Sequence, residues 1–239
     1  MATETQNALL LIADIGGYTR FMNLHRMSLA HAQENTLRLL DAVIDSAPDL
    51  ELSGLEGDAA FLYATDPTAE QITRSLAALA TTMHAAFHTE QGKMEALSVC
   101  RCDACHQTGR LNVKLVAHYG EVVLTPRRGG TTLAGVDVIL VHRMLKNSVP
   151  IDEYVLMTEA VHALAGPPFS DLAKPIDEEL EGLGSERLYY VDMHAVAEPL
   201  PDPEAASWLE RTTYNAEMTA RILPYLVGLK KSEIGAEPQ

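Results

Sequence analysis

The segment Leu9-Leu10-Leu11-Ile12-Ala13-Asp14-Ile15-Gly16-Gly17-Tyr18-Thr19, residues 9–19, carries most of the information about the fold. Its apolar first half predicts a buried strand, and its two glycines allow a tight turn into the helical segment that follows. Asp14 therefore stands at the end of a strand, beside backbone amides that can approach a phosphate group. The alternative role for an aspartate at this position is a helix N-cap.

A second carboxylate follows at a predicted hairpin. The segment Glu56-Gly57-Asp58-Ala59-Ala60 connects the predicted strands 50–53 and 60–63, and glycine beside aspartate is typical of a turn. Asp58 is therefore either a simple turn residue or, if the two strand ends meet, the partner of Asp14. Two aspartates from neighbouring strand ends are suited to a divalent metal ion bound to a nucleoside triphosphate.

The composition excludes several classes of protein. Of the 239 residues, 47% are hydrophobic and 21% are charged, which is an ordinary globular balance. The net charge of −15 argues against a surface for nucleic acid or an anionic membrane. No stretch has the length of a transmembrane span, and residues 1–7 are polar rather than signal-like. We therefore expect a cytoplasmic protein with no nucleic-acid or membrane partner.

All three cysteines of the chain, with a histidine next to the last of them, fall in one short segment: Cys100, Cys102, Cys105 and His106. An odd and tightly clustered set argues against a framework of disulfides. Three thiolates and one imidazole would complete a tetrahedral zinc site. Because His106 adjoins Cys105, His84 and His88 are alternative fourth ligands. The remaining alternative is a loop of reduced thiols without a metal.

The pattern of elements predicts an α+β fold of the ferredoxin-like βαββαβ type with a C-terminal helix. Helices are expected at 20–47, 69–90 and 136–147, strands at 111–118 and 154–157, and a hairpin at 120–132. Residues 1–195 form the predicted domain, with the cysteine loop at 98–108. The proline-rich segment 196–203 is a predicted linker, and 204–239 comprises an amphipathic helix and tail that packs on the domain or on a partner.

Several segments together resemble the class III nucleotidyl cyclases over about residues 7–193. The segments at Asp14 and Asp58 resemble the two metal-binding segments of that family, residues 118–122 its central strand, and 135–144 its late catalytic helix. Residues 180–184 and 188–191 are similar to its closing turn and strand. The chain resembles most closely a branch that carries a Cys-x-Cys-x-x-Cys loop, rather than typical adenylyl cyclases.

This resemblance implies a homodimer that binds a nucleoside triphosphate with two Mg²⁺ or Mn²⁺ ions. The residues it assigns are Asp14, Asp58 and the Ile15 carbonyl as metal ligands, Gly16, Gly17, Tyr18 and Thr19 around the phosphates, Arg143 at the transition state and Lys146 as a second phosphate contact. For Arg143 the alternative is a surface arginine paired with a carboxylate, and for Lys146 a solvated side chain.

The chain departs from the family at the positions that recognise base and ribose. Gly54 stands in place of the lysine that selects adenine, and Ile139 in place of the asparagine that orients the ribose. Glu181 or Leu183 replaces a phosphate-binding lysine, and the base-contacting position falls near Thr132. We therefore expect weak or atypical cyclisation. The alternatives are a catalytically degenerate cyclase-homology module that acts as a sensor or scaffold, and a cysteine loop that is itself the functional centre.

Overall fold

Strand β1 (Glu4–Gly16) lies at the centre of the sheet, because residues 8–13 are apolar on both of its faces. It pairs antiparallel with two strands, β3 (Ala59–Thr65) and β4 (Asn112–Arg127). The computed structural model describes residues 4–24, 29–98, 107–127, 130–200 and 207–226. The cysteine segment lies outside these residues.

The other strands are β2 (Glu51–Glu56), β5 (Gly130–Ala134), β6 (Tyr154–Thr158), β7 (Lys174–Leu180) and β8 (Gly184–Asp192). The sheet order is β2-β3-β1-β4-β6-β8-β7, and β5 extends the far half of β4 as a hairpin. Only β4 and β6 are parallel among these neighbours. The first part of β4 therefore lies between β1 and β6.

The helices are α1 (Tyr18–Leu24), α2 (Leu29–Asp45), α3 (Thr68–Arg74), α4 (Leu76–Leu97), α5 (Val136–Arg143), α6 (Glu159–Leu164), α7 (Phe169–Leu172) and α8 (Trp208–Leu226). Short 3-10 turns occur at Thr108–Arg110 and Met193–Ala195. The predicted α+β sandwich is thus confirmed. The helix expected at 136–147 is shorter, since it ends at Arg143 and continues as a turn.

The two faces of the sheet bury different helices because side chains alternate along a strand. Leu9, Leu11 and Ala13 belong to the larger core, which contains residues of α2 and α4. Leu10 and Ile12 belong to the smaller core, which contains Val141 of α5. We call these sides the α4 face and the α5 face. By the same alternation Asp14 lies on the α5 face.

Helix α8 packs on the α4 face. Its buried residues Tyr214 and Met218 join the larger core, and the guanidinium of Arg38 lies 4.6 Å from the centre of the Tyr214 ring. An ion pair of 3.0 Å joins Arg221 to Glu34 of α2. In the described part of the chain, none of the helices combines the length and apolar character needed to cross a bilayer.

Candidate active site

The structure brings Asp14 and Asp58 together at one end of the sheet. The register of β1 and β3 pairs Asp14 with Ala59, and the amide of Ile15 donates a hydrogen bond of 3.1 Å to the Asp58 carbonyl. Gly57 makes the β2–β3 turn with a φ of 67°, a backbone conformation that favours glycine. The strand end predicts the position of Asp14, and the hairpin turn predicts that of Asp58. The pairing of β1 with β3 then brings the two carboxylates together.

The two carboxylates lie close together, with too little positive charge nearby to offset their repulsion. Burial and the negative charge of Asp14 raise the pKa of the Asp58 carboxyl from 3.8 to about 6, although its backbone hydrogen bond and Lys114 act in the opposite direction. Burial and the charge of Asp58 likewise raise the pKa of Tyr18. The Tyr18 hydroxyl is buried and has no hydrogen-bond partner among the residues that the structure describes. A divalent cation at this point would relieve the repulsion between the two carboxylates.

The sequence analysis did not identify Lys114, which is part of the same group. Lys114 lies directly opposite Asp14 in the β1–β4 register, and its Nζ is 2.9 Å from Asp14 Oδ2. Burial acts to lower its pKa, but the hydrogen bond to Asp14 and the charge of that carboxylate outweigh burial and raise it. Lys114 therefore stays protonated and supplies one positive charge to the carboxylate pair.

A cleft of about 490 Å³ opens beside Lys114. Its lining includes three basic residues, Arg20, Arg110 and Lys114, together with the backbone turn at Gly16 and Gly17. The lining also includes Tyr154 and Asn147, whose side chains are joined by a hydrogen bond of 2.9 Å. The chain as a whole is strongly acidic, so this concentration of basic side chains is a local feature that suits an anionic ligand.

The predicted phosphate-binding segment borders this cleft. Gly17 has a φ of 82° and its carbonyl accepts a hydrogen bond from the Phe21 amide, which begins the short helix α1. Thr19 is exposed and Tyr18 is half-buried, whereas the Ile15 side chain is buried in the larger core. Ile15 therefore offers only its backbone to a ligand, as the sequence analysis expects.

Arg143 and Lys146 are not among the residues that line the cleft, although Leu145 and Asn147, on either side of Lys146, are. Arg143 Nη1 lies 2.6 Å from Oε2 of Glu181; the Glu181 side chain is largely exposed, and that of Arg143 is 40% exposed. Lys146 is exposed in the turn after α5. Within one chain, Arg143 thus has the paired surface position that the sequence analysis gave as its alternative.

The structure shows the surroundings of the residues at which the chain departs from the cyclase pattern. Gly54 lies at an irregular point of the β2–β3 ladder, where a Cβ would meet open space. Ile139 exposes 50% of its surface, and Thr132 pairs with Thr125 in the β4–β5 hairpin. Cys100, Cys102, Cys105 and His106 lie outside the described residues, so the zinc site predicted for them remains a prediction.

In sequence, the chain matches a described protein family and a mycobacterial protein. The family described as "Protein of unknown function (DUF2652)" matches residues 36–154. The protein Rv2561/Rv2562 of Mycobacterium tuberculosis is 36% identical over 198 residues, which are 83% of this chain and 92% of that protein.

Two solved structures show the same fold. The guanylyl cyclase Cya2 superposes with a TM-score of 0.64 at 14% identity, over 87% of this chain and 99% of the other. A class III adenylyl cyclase-like ATP-binding protein from Pseudomonas aeruginosa gives a TM-score of 0.56 at 17% identity, over 71% of this chain and 37% of the other. The fold of the chain is therefore that of class III nucleotidyl cyclase catalytic domains.

Proposed function

The chain belongs to the family of the mycobacterial protein Rv2561/Rv2562 and has a class III cyclase fold, and on this premise we propose that it binds a nucleoside triphosphate with Mg²⁺ or Mn²⁺ at Asp14 and Asp58. The proposal includes a cytoplasmic location, where such nucleotides are found. Cyclisation of the bound nucleotide, weak and with atypical base recognition, is the reaction that we propose for this site.

The observation that carries the proposal is the pairing of two carboxylates with too little compensating charge. The raised pKa of Asp58 reflects burial beside Asp14, even with Lys114 present. Carboxylate oxygens are the ligands that Mg²⁺ and Mn²⁺ prefer, and Mg²⁺ is usually held by one or two carboxylates together with substrate phosphates. The residues present therefore fit such an ion.

The adjoining cleft has the volume and the basic lining to bind the nucleotide. Its volume lies within the range of about 300–1,000 Å³ that is usual for small-molecule sites. Lys114, Arg20 and Arg110 would contact phosphate oxygens, and the glycine turn at residues 16–17 lets the main chain approach them closely. Asn147 and Tyr154, which also line the cleft, offer polar atoms to the sugar or base.

Cyclisation requires that the ribose 3′-hydroxyl lose its proton to water and that its oxygen form a bond to the α-phosphorus while the bond from that phosphorus to pyrophosphate breaks. Bound Mg²⁺ or Mn²⁺ would lower the pKa of the 3′-hydroxyl and neutralise phosphate charge. Asp14 and Asp58 hold the ions, and Lys114 and the basic cleft residues orient the phosphates. Ile139 provides no hydrogen bond to the ribose, and poor positioning of this kind costs on the order of 100-fold in rate.

A second copy of the chain is part of the proposal, because Arg143 does not line the cleft of its own chain. The helix that carries it, α5, exposes Val136 by 64% and Ile139 by 50%. Apolar side chains that stand uncovered on one helix are suited to an interface. In a homodimer Arg143 would release Glu181 and contact the α-phosphate of the nucleotide that the partner binds.

The second candidate function is nucleotide binding without turnover. The ion pair of 2.9 Å between Lys114 and Asp14 favours it, because a built-in cation at one carboxylate leaves room for one metal ion rather than two. The adenylyl cyclase-like protein from P. aeruginosa, which is described as ATP-binding, has the same fold. The chain would then act as a sensor or scaffold.

One experiment separates these functions. Calorimetry with Mn²⁺ and each of ATP, GTP, CTP and UTP measures binding, and mass spectrometry of the same samples detects cyclic products. We expect Asp58→Asn and Asp14→Asn to weaken Mn-nucleotide binding about tenfold or more, whereas Asp177→Asn, at an exposed ion pair on β7, serves as the control. Nucleotide affinity that is identical in all four proteins contradicts the proposal. Binding without product favours the sensor.

A further inference from the structure

A group of two histidines and one glutamate lies on the α4 face of the sheet. His84 and His88 stand on successive turns of α4, and Glu153 immediately precedes β6. Nε2 of His84 is 2.9 Å from one carboxylate oxygen of Glu153, and Nε2 of His88 is 2.8 Å from the other. The three ligand atoms all lie within 4.8 Å of one another.

The amide of Gln91 fixes which nitrogen of His88 carries a hydrogen. Gln91 Nε2 donates to the carbonyls of Thr108 and Leu111, both at 2.8 Å, so its Oε1 must be the atom that faces His88. This oxygen is 2.8 Å from Nδ1 of His88 and can only accept. Nδ1 of His88 therefore donates, and in a neutral ring Nε2 carries a lone pair toward Glu153.

A lone pair that faces a carboxylate at hydrogen-bond distance is unfavourable unless a cation lies between them. Either a second proton on His88 or a metal ion supplies that cation. The ion pairs that the structure shows for Glu153 are with histidines, namely His84, His88 and the exposed His194. A metal-binding imidazole commonly donates its other N–H to a fixed acceptor, which is the role that Gln91 has toward His88.

We propose that His84, His88 and Glu153 bind one divalent transition-metal ion, with zinc as the best match. Two imidazole nitrogens and one carboxylate oxygen form a donor set typical of zinc with an open fourth position. His194, whose Nε2 is 3.8 Å from Glu153 Oε2 and whose side chain is 72% exposed, is positioned to approach the fourth position, which water fills otherwise. The site is independent of the function proposed for Asp14 and Asp58.

The site would join parts of the chain that are distant in sequence. Glu153 Oε1 also accepts a hydrogen bond of 3.2 Å from the amide of Val113, at the start of β4, and the Glu153 carbonyl accepts one from Met193 after β8. The metal would thereby tie α4 to three strands of the sheet. Because the ligands lie on the face opposite to Asp14 and link distant elements, we expect the metal to stabilise the fold.

The test is metal analysis of the full chain after dialysis against excess zinc and then against metal-free buffer. We expect about one zinc per chain in Cys102→Ser, which disables the predicted cysteine site, and less than about a tenth of that when His84→Ala or Glu153→Gln is added. Gln91→Leu should weaken zinc binding about 10- to 100-fold. His162→Gln, which removes an imidazole from the partly buried stack on Tyr189, is the matched control and should retain the metal.

Cobalt substitution identifies the donor atoms. Visible d–d bands in Cys102→Ser without a near-ultraviolet thiolate charge-transfer band support the proposed ligands, and these bands should disappear when His84→Ala is added. No zinc in the wild type means that a protonated His88 holds the group together and overturns the proposal. Zinc that is lost in Cys102→Ser but retained in His84→Ala overturns it equally.

Discussion

Lys114 Nζ lies 2.9 Å from Oδ2 of Asp14, on two adjacent strands whose register places these residues directly opposite each other. The chain thus provides a cation of its own at a carboxylate that is suited to a metal ion. A divalent ion that binds there must displace this ammonium group or share Asp14 with it. The strength of this competition determines how many ions the site holds.

Replacement of Lys114 should therefore strengthen metal binding and weaken nucleotide binding. Lys114→Met keeps most of the apolar stem but removes the charge, so we expect Mn²⁺ to bind about tenfold more tightly in the absence of nucleotide. Triphosphate affinity should fall, because a phosphate contact is lost. Calorimetry measures both affinities.

The control is Lys93→Met, which removes an exposed lysine that pairs with Glu90. An unchanged Mn²⁺ affinity in Lys114→Met would show that Lys114 and the metal ion do not compete.

The stability of the chain should depend on the ionisation of Asp58. The pKa of this carboxyl is about 6 in the folded chain and near 3.8 in the unfolded chain, so the folded chain binds the proton more tightly. The free energy of unfolding then falls as pH rises between these two values. Relative to Asp58→Asn, we expect the wild type to lose on the order of 2 kcal/mol between pH 4 and pH 7. Urea titrations across this range, without metal, measure the difference. Parallel curves for the two proteins would refute it.

The affinity for Mn²⁺ should also depend on the ionisation of Asp58, but it should rise with pH. Since only the ionised carboxylate of Asp58 binds a cation, the affinity for Mn²⁺ should fall as pH decreases below about 6. In Asp58→Asn the remaining affinity should be nearly constant over that range. Titrations at several pH values test this, and a midpoint near pH 4 would mean that Asp58 is not perturbed in the free protein.

Helix α8 should contribute to the stability of the domain rather than act as an independent appendage. Met218 is 6% exposed within the larger core, and truncation to alanine removes a buried side chain. We expect Met218→Ala to lower the free energy of unfolding by about 2–4 kcal/mol. Leu209→Ala, on the same helix but 58% exposed, should change it by less than about 0.5 kcal/mol. Two separate unfolding transitions in the wild type would contradict a shared core.

Mixing of variants tests whether Arg143 acts across a dimer. Asp58→Asn and Arg143→Ala should each abolish cyclic product when pure. An equal mixture forms mixed dimers with one intact site, so we expect about a quarter of the wild-type activity to return. No recovery after exchange of subunits, verified by native mass spectrometry, would mean that the two residues act within one chain or that Arg143 has only its surface role.

The sequence allowed the prediction of those features that depend on neighbouring residues. Asp14 follows an apolar run and Asp58 lies in a glycine turn, so each could be placed at a strand end without knowledge of the other. The apolar run of β1 and the helical spacing of α2 and α4 likewise revealed the elements, although α5 proved to be shorter than expected.

Features that depend on strand register or on the packing of distant elements could not be predicted. Lys114 is one lysine within an apolar strand, and its contact with Asp14 requires the pairing of β1 with β4. Glu153 precedes a strand that is distant from α4 in sequence, so its meeting with His84 depends on how α4 packs on the sheet. The sequence analysis gave His84 and His88 only as alternative fourth ligands of a cysteine site, because His106 adjoins Cys105.

The position of α8 has a practical consequence for measurement. This helix lies on the α4 face, whereas Asp14, Lys114 and the exposed side of α5 belong to the other side of the sheet. A fluorescent reporter attached to the exposed position of Leu209 on this helix would therefore lie on the side of the sheet opposite to Asp14. Ligand titrations could then be followed by energy transfer, with the reporter obstructing neither the nucleotide nor a second copy of the chain.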